Sequence, residues 1–389
     1  MRRLIATAAL VGTLALSGAA VAAPFKNFQA TPTHTGHHSG DSLPTPLAKA
    51  WSRDLGGSTS YPVVVDGRIF VTVANRGYSG TSVVALDAHT GRTLWSHALA
   101  GNYRWSNAAY ANGILVVLAD TGWITGYDPA TGAAHWTRRL GDPFATPPTG
   151  AHGLVYASTM GLSSDSEDDG RVWAIDPRTG HSRWTRVLRW GSTGSAPTVG
   201  RHRLFENFDC GQVYALDRAA GATAWHLDSG CFGRIGATTE LYRGRLWTRE
   251  SYPGEDPIVF DAASGRELRH FAPTLDPAFA GGIGFFPRYP GIEARSATTN
   301  RLLWRKDVGS LMTTPALVVG DVVYAGGENG HVYGFDRRTG TVRVNRDTGA
   351  PFAGAIPTSG GSPTSALGAG AGLLVVPNGR GIHAYRSQR

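Results

Sequence analysis

Several side chains in this sequence have the type and spacing to do chemistry. The run Ser163 to Gly170 sets oxygen donors at alternate positions (Asp165, Glu167, Asp169) and closes on a glycine, like the opening half of a calcium loop. The twelfth position of such a loop is Asp176. If Arg171 to Ile175 is a strand, its five extended residues carry that carboxylate about 16 Å away. The run then reads as a solvated acidic hairpin tip, with Ca2+ as the alternative. His34, His37 and His38 place three imidazoles within five residues, enough donors to hold a metal ion. They lie in a proline-marked irregular stretch, 24–50, that reads as an extended lead-in packing on the first structural unit with its histidines in water. Asp142, Glu206, Asp209, Glu250 and Glu328 are carboxylates available for general acid and base work, but no spacing pairs them. Gly-x-Ser-x-Gly, His-Glu-x-x-His and the phosphate-loop pattern are absent.

The elements that must position these groups come from a repeat. Ala85 to Trp95 reads ALDAHTGRTLW, and variants of it end at Trp136, Trp184 and Trp225. Two further copies keep the aspartate and glycine but put Arg269 and Val344 in the tryptophan place. A worn copy reaches Trp304 with Ser296 for the aspartate and Asn300 for the glycine, and the chain stops with Arg386 in the aspartate place. Apolar residues before the aspartate suit a buried strand, and Asp-x-x-Thr-Gly is turn chemistry, with glycine taking the positive φ. Each copy is therefore a hairpin with its tryptophan on the second strand. The aspartate positions recur at intervals of 35 to 50 residues, the period of propeller blades.

This repeat resembles that of the pyrroloquinoline quinone (PQQ) type β-propellers, a superfamily that includes quinoprotein alcohol dehydrogenases and the outer-membrane assembly lipoprotein BamB. The resemblance covers residues 51–389. It implies an all-β ring of eight four-stranded antiparallel blades in which Trp51, Trp95, Trp136, Trp184, Trp225 and Trp304 wedge between neighbouring blades. Trp51 belongs to a lone strand, Lys49 to Leu55, and Leu373 to Tyr385 supplies strands without a fourth, so the amino-terminal strand is expected to complete the last blade. Residues 272–294 barely hold two strands, which leaves seven blades as the alternative count. The dehydrogenases of the superfamily carry adjacent cysteines and a Glu, Asn and Asp calcium set. Neither can be placed here, so no cofactor is expected, and PQQ with Ca2+ stays as the alternative.

Residues 1–23 read as a secretory signal: Arg2 and Arg3, an apolar run from Leu4 to Leu16, and small residues before Pro24. The expected product is secreted or held in a bacterial cell envelope, with no membrane span and no lipid-anchor cysteine. Without residues 1–23 the chain has 35 basic against 29 acidic residues, a net of +6, and only Lys26, Lys49 and Lys306 are lysines. No block of basic residues suggests nucleic acid. Cys210 comes just before the third strand of its blade and Cys231 just after the fourth, so the two could bridge. The bridge would close a loop of about 20 residues and contribute roughly 3 kcal/mol.

Antiparallel strands counted outward from the ring centre put all Thr-Gly turns on one face, the bottom. The second-to-third turns and the crossings between blades share the top. Tyr103, Arg104, Trp105, Phe144, Arg189, Trp190, Phe232, Arg234 and Phe352 fall there, with Phe279, as a candidate recognition surface. The alternative is that several of these rings plug the channel or pack between blades. The reading is an exported, noncatalytic binding or scaffold propeller, a monomer, whose partner is a protein or an envelope polymer. A PQQ-dependent dehydrogenase and a polysaccharide-acting hydrolase or lyase are the alternatives.

Overall fold

The structure, a computed structural model, describes residues 23–388 apart from 75–79, 100–104, 142–144, 161–169, 192–194, 230–235, 250–256, 273 and 353–364. Eight four-stranded antiparallel blades form a propeller. In blade 1 the strands from centre to rim are Val63–Val65, Arg68–Ala74, Thr81–Asp87 and Thr93–Ala98. The inner strands of blades 2 to 8 are Ser106–Ala111, Thr149–Ala151, Thr198–Val199, Glu240–Tyr242, Ala278–Ala280, Leu317–Val319 and Gly368–Gly370. Outer strands alternate exposed polar residues with a half-buried one, whereas second strands are buried almost throughout, because they lie between two neighbouring blades.

The ring is closed by strand Leu47–Asp54, which pairs antiparallel with Gly381–Ser387 as the outer strand of blade 8. Blade 6 is complete, with strands Ala278–Ala280, Ile283–Arg288, Gly291–Ser296 and Leu302–Asp307, so the count of seven does not hold. Its short interval comes from two tight turns. Gly281 and Gly282, both at positive φ, make the first, and Tyr289-Pro290 makes the second.

The repeats that keep the motif are locked twice. Within the hairpin the aspartate caps its own turn: Asp87 Oδ1 accepts from the Thr90 amide at 2.8 Å and hydroxyl at 2.7 Å, and Asp128 does the same with Thr131. These bonds hold both carboxyls below the ordinary range. Between blades, each docking indole donates from Nε1 to the carbonyl one residue past the next blade's aspartate: Trp51 to Ala88, Trp95 to Pro129, Trp136 to Pro177, Trp184 to Arg218, Trp225 to Ala262 and Trp304 to Arg337, at 2.8 to 3.2 Å.

The amino-terminal stretch differs from the sequence expectation. Residues 25–38 do not lie against one blade. They circle the bottom of the channel and bond to the inner strands in chain order. Phe25 pairs with Val64, Lys26 O accepts from Tyr110, and the Asn27 side chain holds Gly150. Then Pro32, Thr33, Thr35 and Gly36 carbonyls accept from Val199, Leu241, Phe279 and Val318, and His37–His38 runs parallel to Val318–Val319. Phe25 also packs beside Gly368 of blade 8. The histidines are not in water: His34 and His38 are buried and His37 is half-buried. The physical reason is that inner strands present unpaired backbone groups to the channel, and a polar segment satisfies them.

Candidate functional site

The described part of the top face is built where second strands end and crossings begin. Here a hydroxyl on the entry to the inner strand joins the second strand twelve residues later. Ser60, Ser195 and Thr314 hydroxyls accept from the amides of Thr72, Asn207 and Gly326, and the Thr146 hydroxyl meets that of Ser158 at 2.8 Å. These bridges fix the rim from which the loops spring.

Of the expected recognition residues, Arg189 and Trp190 are half-buried at the rim. Arg189 pairs with Asp228 at 3.4 Å, and Trp190 takes a left-handed φ of 57°. Trp105 and Phe352 are packed inward at 8% and 7% exposure, Phe352 among the cluster that includes Tyr324 and Val332. Phe279 is not on the top face. It sits on its inner strand next to the bottom turn, packed on Trp247 with ring centres 4.8 Å apart. Tyr103, Arg104, Phe144, Phe232 and Arg234 lie outside the described residues, as do Asp142, Glu250, Cys231 and the loop with Asp165, Glu167 and Asp169. No free cysteine occurs among the described residues.

The candidate acids do not gather. Glu206 is not a surface acid: it is 0% exposed between blades 3 and 4, where burial pushes its carboxyl well above the usual range. Its one described partner is the Ser158 hydroxyl, 3.5 Å away. Asp209 accepts from the Gly236 amide, and Glu328 holds the Leu311 amide at the surface.

The sequence reading missed three features. The first is a buried ionic cluster where blade 5 meets the crossing into blade 6, with Glu240 opening the inner strand, Arg249 just past the second strand and Asp276 before the next inner strand. Arg249 bonds Asp276 and lies 3.6 Å from Glu240, whose carboxyl burial pushes up against the pull of that guanidinium. The second is an apolar pair on the top of blade 6, Tyr289 at 66% exposure and Leu311 at 39%. The third is a top-face groove of 330 Å3 at the ring seam, lined by Ser52, Arg53, Asp54, Thr348, Asn378, Arg380 and His383. Repeat patterning hides all three, because they sit at ordinary strand and turn positions.

No group of three or more His, Cys, Asp or Glu side chains that could hold a metal ion occurs among the described residues. No helix among them is long and apolar enough to cross a membrane.

A family model described as outer membrane protein assembly factor BamB matches residues 47–102, 79–243 and 211–388. Among solved structures, quinohemoprotein alcohol dehydrogenase from Comamonas testosteroni is 15% identical at a TM-score of 0.71, covering 94% of this chain and 81% of its own. BamB from Moraxella catarrhalis is 15% identical at 0.64, covering 88% and 100%. The computationally designed Ika8 protein is 14% identical at 0.67, covering 87% and 99%. At such identities the likeness concerns the fold. Comparison with curated proteins finds no match.

Proposed function

Since this chain belongs to the family described as outer membrane protein assembly factor BamB, we propose that it is an exported, noncatalytic propeller that holds a partner on its top face. The observation that carries this reading is the segment 25–38. It lines the bottom of the channel from blade to blade, which favours a partner meeting the ring from the opposite side. The buried charges at the junction of blades 5 and 6 are engaged with one another, Arg249 with Asp276. Half-buried Arg189 and Trp190 and exposed Tyr289 stand at the top rim, the aromatic and arginine types that dominate recognition surfaces. The ring serves as a rigid frame, and the partner is a protein or an envelope polymer. The family name is that of an assembly factor, which favours a protein. That residues 1–23 read as a secretory signal supports work outside the cytoplasm.

The test compares the mature protein with an Arg189→Ala, Trp190→Ala double variant by quantitative crosslinking in envelope extract. A specific partner lost about tenfold in the variant, at unchanged melting temperature, is the expected result. A partner set identical in both removes this surface from consideration. A parallel titration with PQQ plus Ca2+, followed by dye-linked alcohol oxidation, decides against the reading if saturable binding comes with turnover.

A further inference from the structure

The seam groove has the makings of a ligand site. Its walls come from three places: the end of the closing strand Leu47–Asp54 (Ser52, Arg53, Asp54), the crossing Thr348–Ala350, and the turn and strand from Asn378 to His383. Its size falls within the range of small-molecule pockets, about 300 to 1,000 Å3.

The hydrogen bonds fix what this wall offers. Asn378 Oδ1 accepts from the amides of Arg380 and Gly381 at 3.1 and 3.0 Å, so its Nδ2 is the donor. That Nδ2 donates to Thr348 O at 3.3 Å and to His383 Nε2 at 2.7 Å. The imidazole therefore accepts at Nε2 and keeps its proton on Nδ1, which has no hydrogen-bond partner among the described residues. Arg380 lies 3.6 Å from Asp54, and Arg53 has no ion-pair partner among the described residues.

The turn is basic, a character it shares with blades 1 and 5, where Arg76 and Arg249 follow the second strand. After the second strand, blades 2, 4 and 7 place the acids Asp120, Asp209 and Glu328. Blade 8 has neutral Asn378 there and then Arg380. At the top of blade 8, Arg53 and Arg380 stand against Asp54 alone.

We propose that the seam groove binds an anion-bearing sugar, with its phosphate or carboxylate on the Arg53 and Arg380 guanidiniums, a hydroxyl on Ser52 and its ring against half-buried His383. Guanidinium forks match either anion, and the Ser52 hydroxyl with the imidazole beside it matches a saccharide body. The proposal rests on the reading of the top face as the recognition face and names the chemistry of one part of it. An occupant would touch both ends of the chain and so tie the seam.

Isothermal titration of the mature protein with glucose 6-phosphate, glucuronate, glucose and inorganic phosphate tests this. Saturable binding of at least one sugar anion is expected, with glucose silent and inorganic phosphate at least tenfold weaker. Arg53→Ala and Arg380→Ala, both on exposed side chains, should each weaken binding about tenfold or more, while Arg92→Ala on blade 1 leaves it unchanged. Ligand should raise the melting temperature of the wild type and not of the two seam variants. No binding of either sugar anion, or binding indifferent to both seam arginines, overturns the proposal. Inorganic phosphate binding as tightly as the sugars overturns its saccharide part. Partner capture through Arg189 and Trp190 lies on another part of the rim, so loss of either result leaves the other standing.

Discussion

Arg269 stands where its repeat calls for tryptophan, and its guanidinium does part of the indole's work. It donates to Ala297 O at 2.9 Å, the carbonyl one past the aspartate place that indoles reach in other blades, and to Thr298 O at 2.7 Å. The exchange frees a second position. At Gly91, Gly132, Gly180, Gly221, Gly265 and Gly340 an added Cβ would fall 2.5 to 2.9 Å from the preceding blade's indole, whereas the equivalent residue facing Arg269 is Asn300, at φ 60°. Val344 needs no glycine opposite, because the outer strand of blade 8 comes from the other end of the chain and no turn exists there. Arg269→Trp alone should destabilise, and Asn300→Gly should rescue it, with a coupling of about 0.5 to 3 kcal/mol in a denaturation cycle. Trp136→Ala should cost about 3 to 5 kcal/mol, and an unchanged urea midpoint would contradict its docking role. Glu206 behaves oppositely. In seven other blades its position holds Val71, Val117, Ala157, Thr248, Phe286, Ala325 or Val376. With its carboxyl pushed up by burial, its native form is favoured below the unfolded value near 4.5 and is increasingly costly as pH rises. Glu206→Gln should therefore raise unfolding free energy by about 1 to 3 kcal/mol at pH 7, a gain that vanishes at pH 4 and below. The docking tryptophans were legible because their spacing repeats. Glu206 was misread because a carboxylate suggests a surface, and only strand register places it inside.

At the scale of elements, the blades could be read from alternation and turn chemistry, but the segment 25–38 could not. It has no period of its own, since its order comes from strand ends far along the chain, and its polar residues meet backbone groups rather than water. His34 shows the consequence. Its ring nitrogens lie 3.0 Å from Phe28 O and 3.0 Å from Pro197 O, joining the segment to blade 4. Burial holds its pKa below the ordinary value of 6.5. The native ring then binds fewer protons here than the unfolded chain does, so this share of stability is full above about pH 6.5 and is lost as pH falls towards the native pKa. Urea midpoints at pH 7.5 and 5.5 should separate in the wild type, and His34→Gln should narrow the gap. An undiminished gap would assign the acid sensitivity to other groups. The short blade 6 was also hard to read, because two tight turns remove the loop residues by which blades are usually counted.

The whole molecule is a ring whose two chain ends meet in blade 8, and that closure was visible as a lone strand at the amino end and a blade lacking its fourth strand at the carboxyl end. The seam groove was not, because its walls come from residues more than 290 positions apart in sequence, Arg53 and Thr348 among them. The expected bridge between Cys210 and Cys231 belongs to this scale as well. Intact-mass measurement without reductant should show the loss of two hydrogens, and Cys210→Ser should cost about 3 kcal/mol. Two free thiols by mass would rule the bridge out. The segment 25–38 carries a last consequence. It advances one or two residues per blade, except for five between blades 3 and 4, and bonds the inner strands of seven blades in turn, with Phe25 reaching the eighth. A ring with one blade fewer would leave part of it without strands to meet, and one with an extra blade would outrun it. Fourteen residues at the start of the folded chain thus act as a gauge of circumference, so that duplicating or deleting a blade, the easiest way for a repeat protein to change size, is penalised unless the gauge is recut with it.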